Sequence, residues 1–325
     1  MSTTHSPSVA DPTRQSMTLF IKTHPIIDDL DSDLVLRSRC GVDFYVLKGI
    51  LAFASPVFKT MFTLPQDGVS QEMKDGLAVI SVEEEAETLG ILLGFCYPRW
   101  CTASEDVSLE KLIDVREAAT KYGMDGVENH IRGKFVDERF IRKEPLRMYA
   151  ITLRHSLETE VRMAARATLR LPILGRQYFE ELECITAGDY HRLQVYHVQC
   201  AEAASKVAKS LEWMTEERYI WFECNGDCRA QGNGSGPLLT ISGNRRKWVL
   251  SKWWWDFMGQ AATALAERPS GKTITDSKLM DEALMKASDC RACRGQAFGE
   301  MRAFADAFAL EVDRVTAEVL LEVKL

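Results

Sequence analysis

Between residues 33 and 62 the hydrophobic pattern of this chain changes its period once, and this change constrains the fold more than any other feature. Residues 34–36 form a short apolar run, Cys40-Gly41 supplies a turn, and residues 43–46 alternate in polarity. Alternation is typical of a strand, because successive side chains of a strand point to opposite faces of the sheet. The pattern therefore predicts a hairpin at the edge of a small sheet.

From Leu47 onward the apolar residues recur at helical spacing instead. Ile50, Leu51 and Ala54 are three or four residues apart, which predicts one helix. Ser55-Pro56 predicts the start of a second short helix, since proline is favoured at the first helical position. That second helix carries three large apolar residues on one side: Phe58, Met61 and Phe62.

The same reasoning places three further elements in the next sixty residues. Residues 77–82 fit a strand, and the acidic run 83–85 fits a helix start, where carboxylates favour the positive end of the helix dipole. An apolar face on residues 89–96 predicts a helix that ends at Tyr97-Pro98. A further helix follows on residues 109–119 and ends near Lys121-Tyr122-Gly123-Met124.

These elements resemble the BTB/POZ domain over residues 29–127 in their order, their spacing and the residues of their motifs. The resemblance implies an α+β fold in which a small sheet is flanked by a helical cluster, and it implies a protein-interaction module that forms homo-oligomers. Where most members of this family have a histidine before the lysine, this chain has Leu47-Lys48. The usual pairing of that histidine with the early aspartate therefore cannot form with Asp33. The resemblance implies an interaction surface whose residues are Asp33, Leu51, Phe58, Met61, Phe62 and Tyr97.

The remaining sequence predicts a tail and an all-helical C-terminal region. Residues 1–28 are rich in Ser, Thr and Pro and predict a disordered tail. Residues 128–185 continue the last domain helix through Phe140 and then carry two further helices. They resemble the BACK-like helical extension that follows the BTB domain in many adaptors. Residues 186–325 form a separate C-terminal helical region with a Trp-rich segment and cysteine pairs.

The whole-chain composition narrows the possible partners and compartments. The net charge of −7 and the sequence pI near 5.5 argue against a nucleic-acid partner, because phosphate binding requires a basic surface. No apolar run reaches the length of about 20 residues that spans a bilayer, and the N-terminus has no signal pattern. We therefore expect an intracellular protein of the cytoplasm or nucleus, with protein partners and no membrane partner.

Two close pairs of cysteines are the sharpest chemical signal outside the first domain. Cys224 and Cys228 are separated by three residues, and Cys290 and Cys293 by two. Two such pairs can supply four sulfur ligands to a tetrahedral zinc ion, each pair held by a tight turn such as residues 225–227. The first pair has three intervening residues, whereas such zinc-binding pairs usually have two. The gap between the two pairs also exceeds that of a compact zinc finger. The alternatives are four reduced thiols near helix ends, or a redox-active Cys290/Cys293 pair.

Three other patterns allow both a functional and a structural interpretation. His197 and Cys200 are one turn apart and could chelate a metal, but both fall on an apolar stripe, which favours core packing. Residues 253–255 are three consecutive tryptophans, for which we expect two in the core and one at the surface. The apolar seam of residues 301–319 fits a helix of a packed bundle better than a coiled coil. The glycine-rich segment 231–237 predicts a loop without a phosphate-binding motif.

The sequence supports three hypotheses about function. The first is a non-enzymatic adaptor that acts through BTB-mediated self-association or partner binding. The second is a substrate adaptor of a cullin-type ubiquitin ligase, in which the BTB domain and the following helices hold the scaffold. The third is a thiol-dependent redox enzyme that uses Cys290 and Cys293. The order of the domains resembles BTB proteins of basidiomycete fungi, and the motifs of the common enzyme classes are missing from the sequence.

Overall fold

The computed structural model describes residues 31–63, 72–97, 107–175, 177–214, 218–226, 228, 238–241, 244–247 and 249–325. The predicted tail, the end of the predicted third helix at Pro98 and the glycine-rich segment 231–237 lie outside these residues. The chain divides into two compact units, Met1–Asp137 and Glu138–Leu325. Within the described ranges, no helix is both long enough and apolar enough to cross a lipid bilayer.

The N-terminal unit contains four strands and five helices in its described part. Its strands are β1 (Leu34–Arg37), β2 (Asp43–Val46), β3 (Met73–Lys74) and β4 (Leu77–Ser81). Its helices are α1 (Lys48–Ala54), α2 (Pro56–Thr63), α3 (Ala86–Cys96), α4 (Leu109–Lys121) and α5 (Asp125–Phe135). The predicted α+β class and the predicted order of elements are confirmed.

The four strands form one mixed sheet in the order β2-β1-β4-β3. β1 pairs antiparallel with β2, with Leu34 opposite Val46, and parallel with β4, with Leu34 opposite Ala78. β3 pairs antiparallel with β4. The hairpin turns at Gly41, whose φ of 82° lies in the left-handed region that suits glycine. The predicted hairpin is therefore confirmed, and its first strand lies inside the sheet.

A hydrogen-bonded junction between the helices closes the core of this unit. The Ser55 hydroxyl donates to the carbonyl oxygen of Tyr122 at 2.5 Å and accepts from the Phe58 amide at 3.0 Å. The rings of Phe58 and Tyr122 stack with their centroids 4.4 Å apart. The Ser55-Pro56 start of α2 is thus fixed by the end of α4, and Phe58 is fully buried there.

The continuous helix predicted through Phe140 is wrong. α5 ends at Phe135, and the next helix, α6, covers only Glu138–Ile141. At the break, the amide of Asp137 donates to the carbonyl oxygen of Lys134 at 3.1 Å, three residues back instead of four. Such a bond tightens the last turn and ends the helix. Neither Gly nor Pro marks this break in the sequence.

The C-terminal unit is helical, as predicted, with one addition. Its helices are α6, α7 (Pro145–Arg154), α8 (Glu158–Thr168), a 3₁₀ helix (Glu180–Cys184), α9 (Ala187–Lys209), α10 (Ile220–Glu223), α11 (Lys252–Glu267), α12 (Gly271–Ile274), α13 (Ser277–Ser288) and α14 (Ala297–Ala317). A two-stranded antiparallel ribbon, β5 (Leu238–Ile241) and β6 (Asn244–Lys247), interrupts this helical series.

The core of the C-terminal unit is rich in aromatic side chains. Trp221 and Trp254 are fully buried, and their rings are nearly parallel, with centroids 5.6 Å apart. Phe304 of α14 meets the Trp254 ring edge-on at 5.6 Å. Trp253 is buried as well, whereas Trp255 is 43% exposed. The expectation of two core tryptophans and one at the surface is confirmed.

The apolar seam of α14 and the His197/Cys200 pair also belong to the packed core. The residues of the α14 seam from Met301 to Val312 are buried within this unit, so α14 is a helix of a packed bundle. His197 and Cys200 of α9 are buried. The His197 Nε2 atom lies 3.2 Å from the carbonyl oxygen of Leu171, and the Cys200 thiol faces the carbonyl oxygen of Thr316 at 3.9 Å.

Gly271, the first residue of α12, is a site where even one methyl group should be costly. Its amide donates to Asp313 Oδ1 at 2.9 Å, and an added Cβ would overlap the carbonyl oxygen of Ala309 and lie 2.8 Å from Asp313 Oδ2. We expect Gly271→Ala to lower the free energy of unfolding by about 1–3 kcal/mol, since overpacking forces the backbones apart. Urea denaturation followed by tryptophan fluorescence measures this loss.

Gly259 of α11 provides the matched control for this prediction. A Cβ at Gly259 meets no atom within 4 Å, and the residue is exposed in a helix. Gly259→Ala should raise the free energy of unfolding by about 0.5–1 kcal/mol, because alanine has the higher helix propensity. Equal stability of the two variants would contradict the close approach at Gly271.

Candidate functional site

The fold brings the two cysteine pairs into one cluster. The Sγ atoms of Cys224, Cys228, Cys290 and Cys293 all lie within 4.8 Å of one another. We call these four residues the cysteine cluster. The two pairs are more than sixty residues apart in sequence, so tertiary packing assembles the cluster.

Helix ends position the members of the cluster. Cys224 follows α10, and its amide donates to the carbonyl oxygen of Ile220 at 2.8 Å. Cys290 follows α13, and its amide donates to the carbonyl oxygen of Ala287 at 3.2 Å. Cys293 precedes α14, and its carbonyl oxygen accepts from the amide of Ala297 at 2.9 Å. These three sulfurs are thus carried by backbone that a helix terminus holds in place.

The separations between the sulfur atoms match those around a single tetrahedral ion. The Sγ atoms of Cys224 and Cys228 are 3.5 Å apart, those of Cys224 and Cys290 3.6 Å, and those of Cys228 and Cys293 3.5 Å. Four sulfurs at about 2.3 Å from a zinc ion are separated by about 3.8 Å in a regular tetrahedron. These three separations are about 0.2–0.3 Å shorter than this value, and all six lie within 4.8 Å, so the four sulfurs are close enough for one ion to bind them.

Gly226 allows the first pair to close around the cluster. Its amide donates to Cys224 Sγ at 3.2 Å. A Cβ at this position would lie 2.7 Å from Cys290 Sγ, closer than real Cβ atoms approach a sulfur. Only a residue without a side chain leaves room for the second pair. The turn predicted over residues 225–227 stays a prediction, because Asp227 lies outside the described residues.

The thiols perturb one another's ionisation because they are crowded and desolvated. Burial raises the pKa of Cys228 to about 11, against the effect of the Ser251 hydroxyl. Burial also raises the pKa of Cys293. The pKa of Cys290 falls to about 6 despite burial, because the amides of Cys293 and Ala292 and the neighbouring thiols stabilise its thiolate. Without a cation, the cluster therefore cannot hold four thiolates together.

The burial of the cluster indicates a closed site. Cys224, Cys290 and Cys293 are buried, and only Cys228 is partly exposed. Four sulfur ligands that complete a tetrahedron leave no open position for water or substrate, which is the arrangement of structural zinc sites. The predicted zinc ligands are therefore brought together, and the donor set fits zinc. Cys290 and Cys293 do not form an isolated dithiol of the kind that redox enzymes use.

Three of the six predicted interaction residues belong to the core of the N-terminal unit. Leu51 and Phe58 are fully buried, and Tyr97 is 7% exposed. The Tyr97 hydroxyl accepts a hydrogen bond from the amide of Leu47 at 2.9 Å. These side chains stabilise the fold and are not available at the surface of this unit.

Asp33 compensates for the leucine at position 47. Leu47 precedes α1 and offers no side-chain cap to that helix. The Asp33 Oδ1 atom accepts from the amide of Lys48 at 2.7 Å instead. Unsatisfied amides at a helix start are costly to leave unpaired. Asp33 thus accepts a hydrogen bond at the start of α1, where the side chain of Leu47 offers none.

The exposed apolar surface of this unit centres on a residue that sequence reasoning missed. Phe53 of α1 is 96% exposed, and Val57 at the start of α2 is 38% exposed. Met61 and Phe62 of α2, both predicted interaction residues, are partly exposed. The signal for Phe53 was present, because it falls outside the Ile50, Leu51 and Ala54 stripe. We call Phe53, Val57, Met61 and Phe62 the apolar surface.

Residues 28–138 match the family model described as the BTB/POZ domain. The match covers about a third of the chain and includes the four-stranded sheet and helices α1–α5. The chain therefore carries a BTB/POZ domain, a type of domain that generally mediates protein–protein interaction and oligomerisation. A comparison with curated proteins found no significant match. The predicted likeness of the whole domain order to fungal proteins stays a prediction.

Proposed function

We propose that this protein is a non-enzymatic adaptor that binds other protein chains through its BTB domain. In this proposal residues 29–127 are the interaction domain, residues 128–185 form a BACK-like extension, and residues 186–325 present a second docking surface. The match of residues 28–138 to the BTB/POZ family carries the proposal. The apolar surface supports it, because its side chains lie exposed or partly exposed on the consecutive helices α1 and α2, and exposed apolar groups are candidates for burial against a protein partner.

The apolar surface also suggests which side chain dominates the contact. A phenylalanine that is 96% exposed gains from burial only when a partner covers it. Aromatic side chains at the centre of an interface often supply most of its binding energy. A second copy of this chain offers the same surface, so the simplest partner is another protomer. The buried residues Leu51, Phe58 and Tyr97 act indirectly, because they hold α1 and α2 in place.

Replacing Phe53 with aspartate should weaken self-association of the full-length chain. The charge removes the apolar contact and cannot be buried without loss of hydration. We expect the dissociation constant to rise at least about 30-fold, which corresponds to about 2 kcal/mol at an interface hot spot. Light scattering across a concentration series measures this change.

Met285→Asp is the matched control, since Met285 is 71% exposed on α13 of the C-terminal unit. It introduces the same charge and should leave self-association unchanged. A wild-type chain that stays monomeric at about 50 μM, where moderate interfaces are already formed, would contradict self-association.

Affinity purification of the wild-type chain, compared with that of Phe53→Asp, then tests partner binding. Loss of a cullin from the variant's partners would extend the proposal to a ubiquitin-ligase adaptor, and equal partner sets would contradict a role for the apolar surface.

The second element of the proposal is a structural zinc ion held by the cysteine cluster. Its support is the donor set, the closed geometry and the separations of 3.5–3.6 Å between neighbouring sulfurs. The bound ion would supply the positive charge that four thiolates require. It would also join the end of α10 to the turn between α13 and α14. Because the ion would hold these elements together, the shape of the proposed C-terminal docking surface would depend on the metal.

A further inference from the structure

Ser251 occupies the cap position of α11 but does not cap the helix. The residue is fully buried, and its hydroxyl makes no hydrogen bond to an amide of the first turn. Serine is favoured at this position because its hydroxyl normally accepts from an amide two or three residues ahead. Here the hydroxyl lies 3.3 Å from Cys228 Sγ and 3.9 Å from Cys293 Sγ. The side chain is therefore directed to the cysteine cluster.

The backbone holds Ser251 firmly in this place. Its amide donates to the carbonyl oxygen of Trp221 at 2.9 Å, and its own carbonyl oxygen accepts from the amide of Trp255 at 3.2 Å. The amide of the next residue, Lys252, donates to the carbonyl oxygen of Cys228 at 2.7 Å. These bonds connect α11 with α10 and with the first cysteine pair. The position of the hydroxyl relative to the sulfurs is thus set by main-chain contacts.

The sulfurs of the cluster differ in their hydrogen-bond partners. Cys224 Sγ receives the amide of Gly226 at 3.2 Å. The Cys228 thiol instead donates to the hydroxyl of Ser251 at 3.3 Å, and its other sulfur contacts are the thiols of Cys224 and Cys293. Four thiolates on one divalent ion leave two net negative charges in a buried site. Donors around the ligands spread this charge and fix their orientation.

We propose that Ser251 is a positioning residue of the metal site, whose hydroxyl orients the sulfurs of Cys228 and Cys293 toward the ion. This inference rests on the proposed zinc site. In the metal-free chain the Cys228 thiol donates to Ser251 Oγ. With zinc bound and the thiol proton released to solvent, the hydroxyl would rotate and donate a hydrogen bond to the Cys228 thiolate. The same contact therefore serves both states, with donor and acceptor exchanged.

The test compares zinc affinity of full-length wild type with that of Ser251→Ala by chelator competition. Loss of a conserved contact around a metal ligand typically weakens metal binding about 10–100-fold, and we expect a loss in this range. Ser251→Thr keeps the hydroxyl and should retain affinity close to wild type. Ser251→Gly provides a second variant without the hydroxyl, with a residue that is still favoured at a helix cap.

Two further readouts separate positioning from a purely structural role. Cobalt(II) substituted for zinc gives sulfur-to-metal charge-transfer absorption, whose position and intensity should change in Ser251→Ala and recover in Ser251→Thr. A structural role alone would lower the melting temperature of the metal-free and metal-loaded chains equally and leave zinc affinity unchanged. Equal zinc affinity and equal cobalt spectra in wild type, Ser251→Ala and Ser251→Gly would overturn the inference. A wild-type chain that binds no zinc would overturn the proposed metal site, and this inference with it.

Discussion

Removal of the proposed zinc ion should destabilise the C-terminal unit and leave the BTB domain folded. An ion bound by both cysteine pairs closes a loop of 66 residues between Cys224 and Cys290. A cross-link over a loop of this length stabilises the folded state by about 4 kcal/mol in the chain-entropy estimate. For a unit of this size, that loss lowers the melting temperature by about 10 °C. Structural zinc sites in smaller domains contribute still more.

The tryptophans make this experiment selective for the C-terminal unit. Six of the seven tryptophans lie after Asp137, so their fluorescence reports on that unit. Metal analysis of the purified chain should give one equivalent of zinc. Thermal unfolding followed by fluorescence, with and without a strong chelator, then measures the loss. Cys293→Ser should behave like the chelated wild type.

Cys184 provides the control for the substitution of a thiol. It is exposed and lies outside the cysteine cluster, so Cys184→Ser should bind zinc and melt like the wild type. A purified chain without zinc, whose melting temperature a chelator does not change, would refute the structural zinc site. The same result would leave the adaptor proposal standing, since that proposal rests on the N-terminal unit.

Trp254→Ala should produce the second large effect, a loss of about 3–5 kcal/mol in the free energy of unfolding. The Trp254 side chain is fully buried and stacks on Trp221, with the rings 7° from parallel. Its removal leaves a cavity between Trp221, Phe222 and Phe304, whose ring centroids lie 5.4–5.6 Å from that of Trp254. Urea denaturation of the metal-loaded chain measures the change.

The neighbouring position on the same helix gives a matched comparison. Trp255 is 43% exposed, so Trp255→Ala should cost less than about 1 kcal/mol. The loss in the free energy of unfolding for Trp254→Phe should lie between the losses for Trp254→Ala and Trp255→Ala. The phenylalanine keeps an aromatic contact and removes a buried indole nitrogen that has no hydrogen-bond partner in the described part of the chain. Similar losses for Trp254→Ala and Trp255→Ala would show that the aromatic cluster is not the stabilising core.

The sequence was sufficient for features that depend on local periodicity or on spacing. The change of period at Leu47 placed the hairpin and the first two helices, and the close spacing within each cysteine pair identified all four members of the cluster. The end of α5 at Phe135 was not predictable in the same way. No glycine or proline lies at residues 136 and 137, where the helix ends, and the end is marked by a hydrogen bond from the amide of Asp137 to the carbonyl oxygen of Lys134.

Roles that arise from tertiary contacts were not visible in the sequence. Nothing near Ser251 in the chain shows that its hydroxyl faces sulfurs 23 and 42 residues away. Leu51, Phe58 and Tyr97 were assigned to an interaction surface by family resemblance, and burial places them in the core. Burial depends on how α1, α2 and α3 pack together, and the amino-acid pattern of a motif does not specify this packing. The acidic run 83–85 leads into α3 as expected, with Glu85 at its N-cap, but the contacts of Glu84 with Lys121 and Tyr122 at the end of α4 were not visible in the sequence.

The parallel pairing of β1 with β4 has a consequence for synthesis of the chain. β1 and β2 can pair as soon as both have left the ribosome, but β4 lies more than thirty residues further on. At about 5–20 residues per second, the second edge of β1 stays unpaired for about 2–7 s. An open strand edge is a template for pairing with other chains. The nascent domain is therefore most prone to mispairing during those seconds, before the strand that protects it has been made.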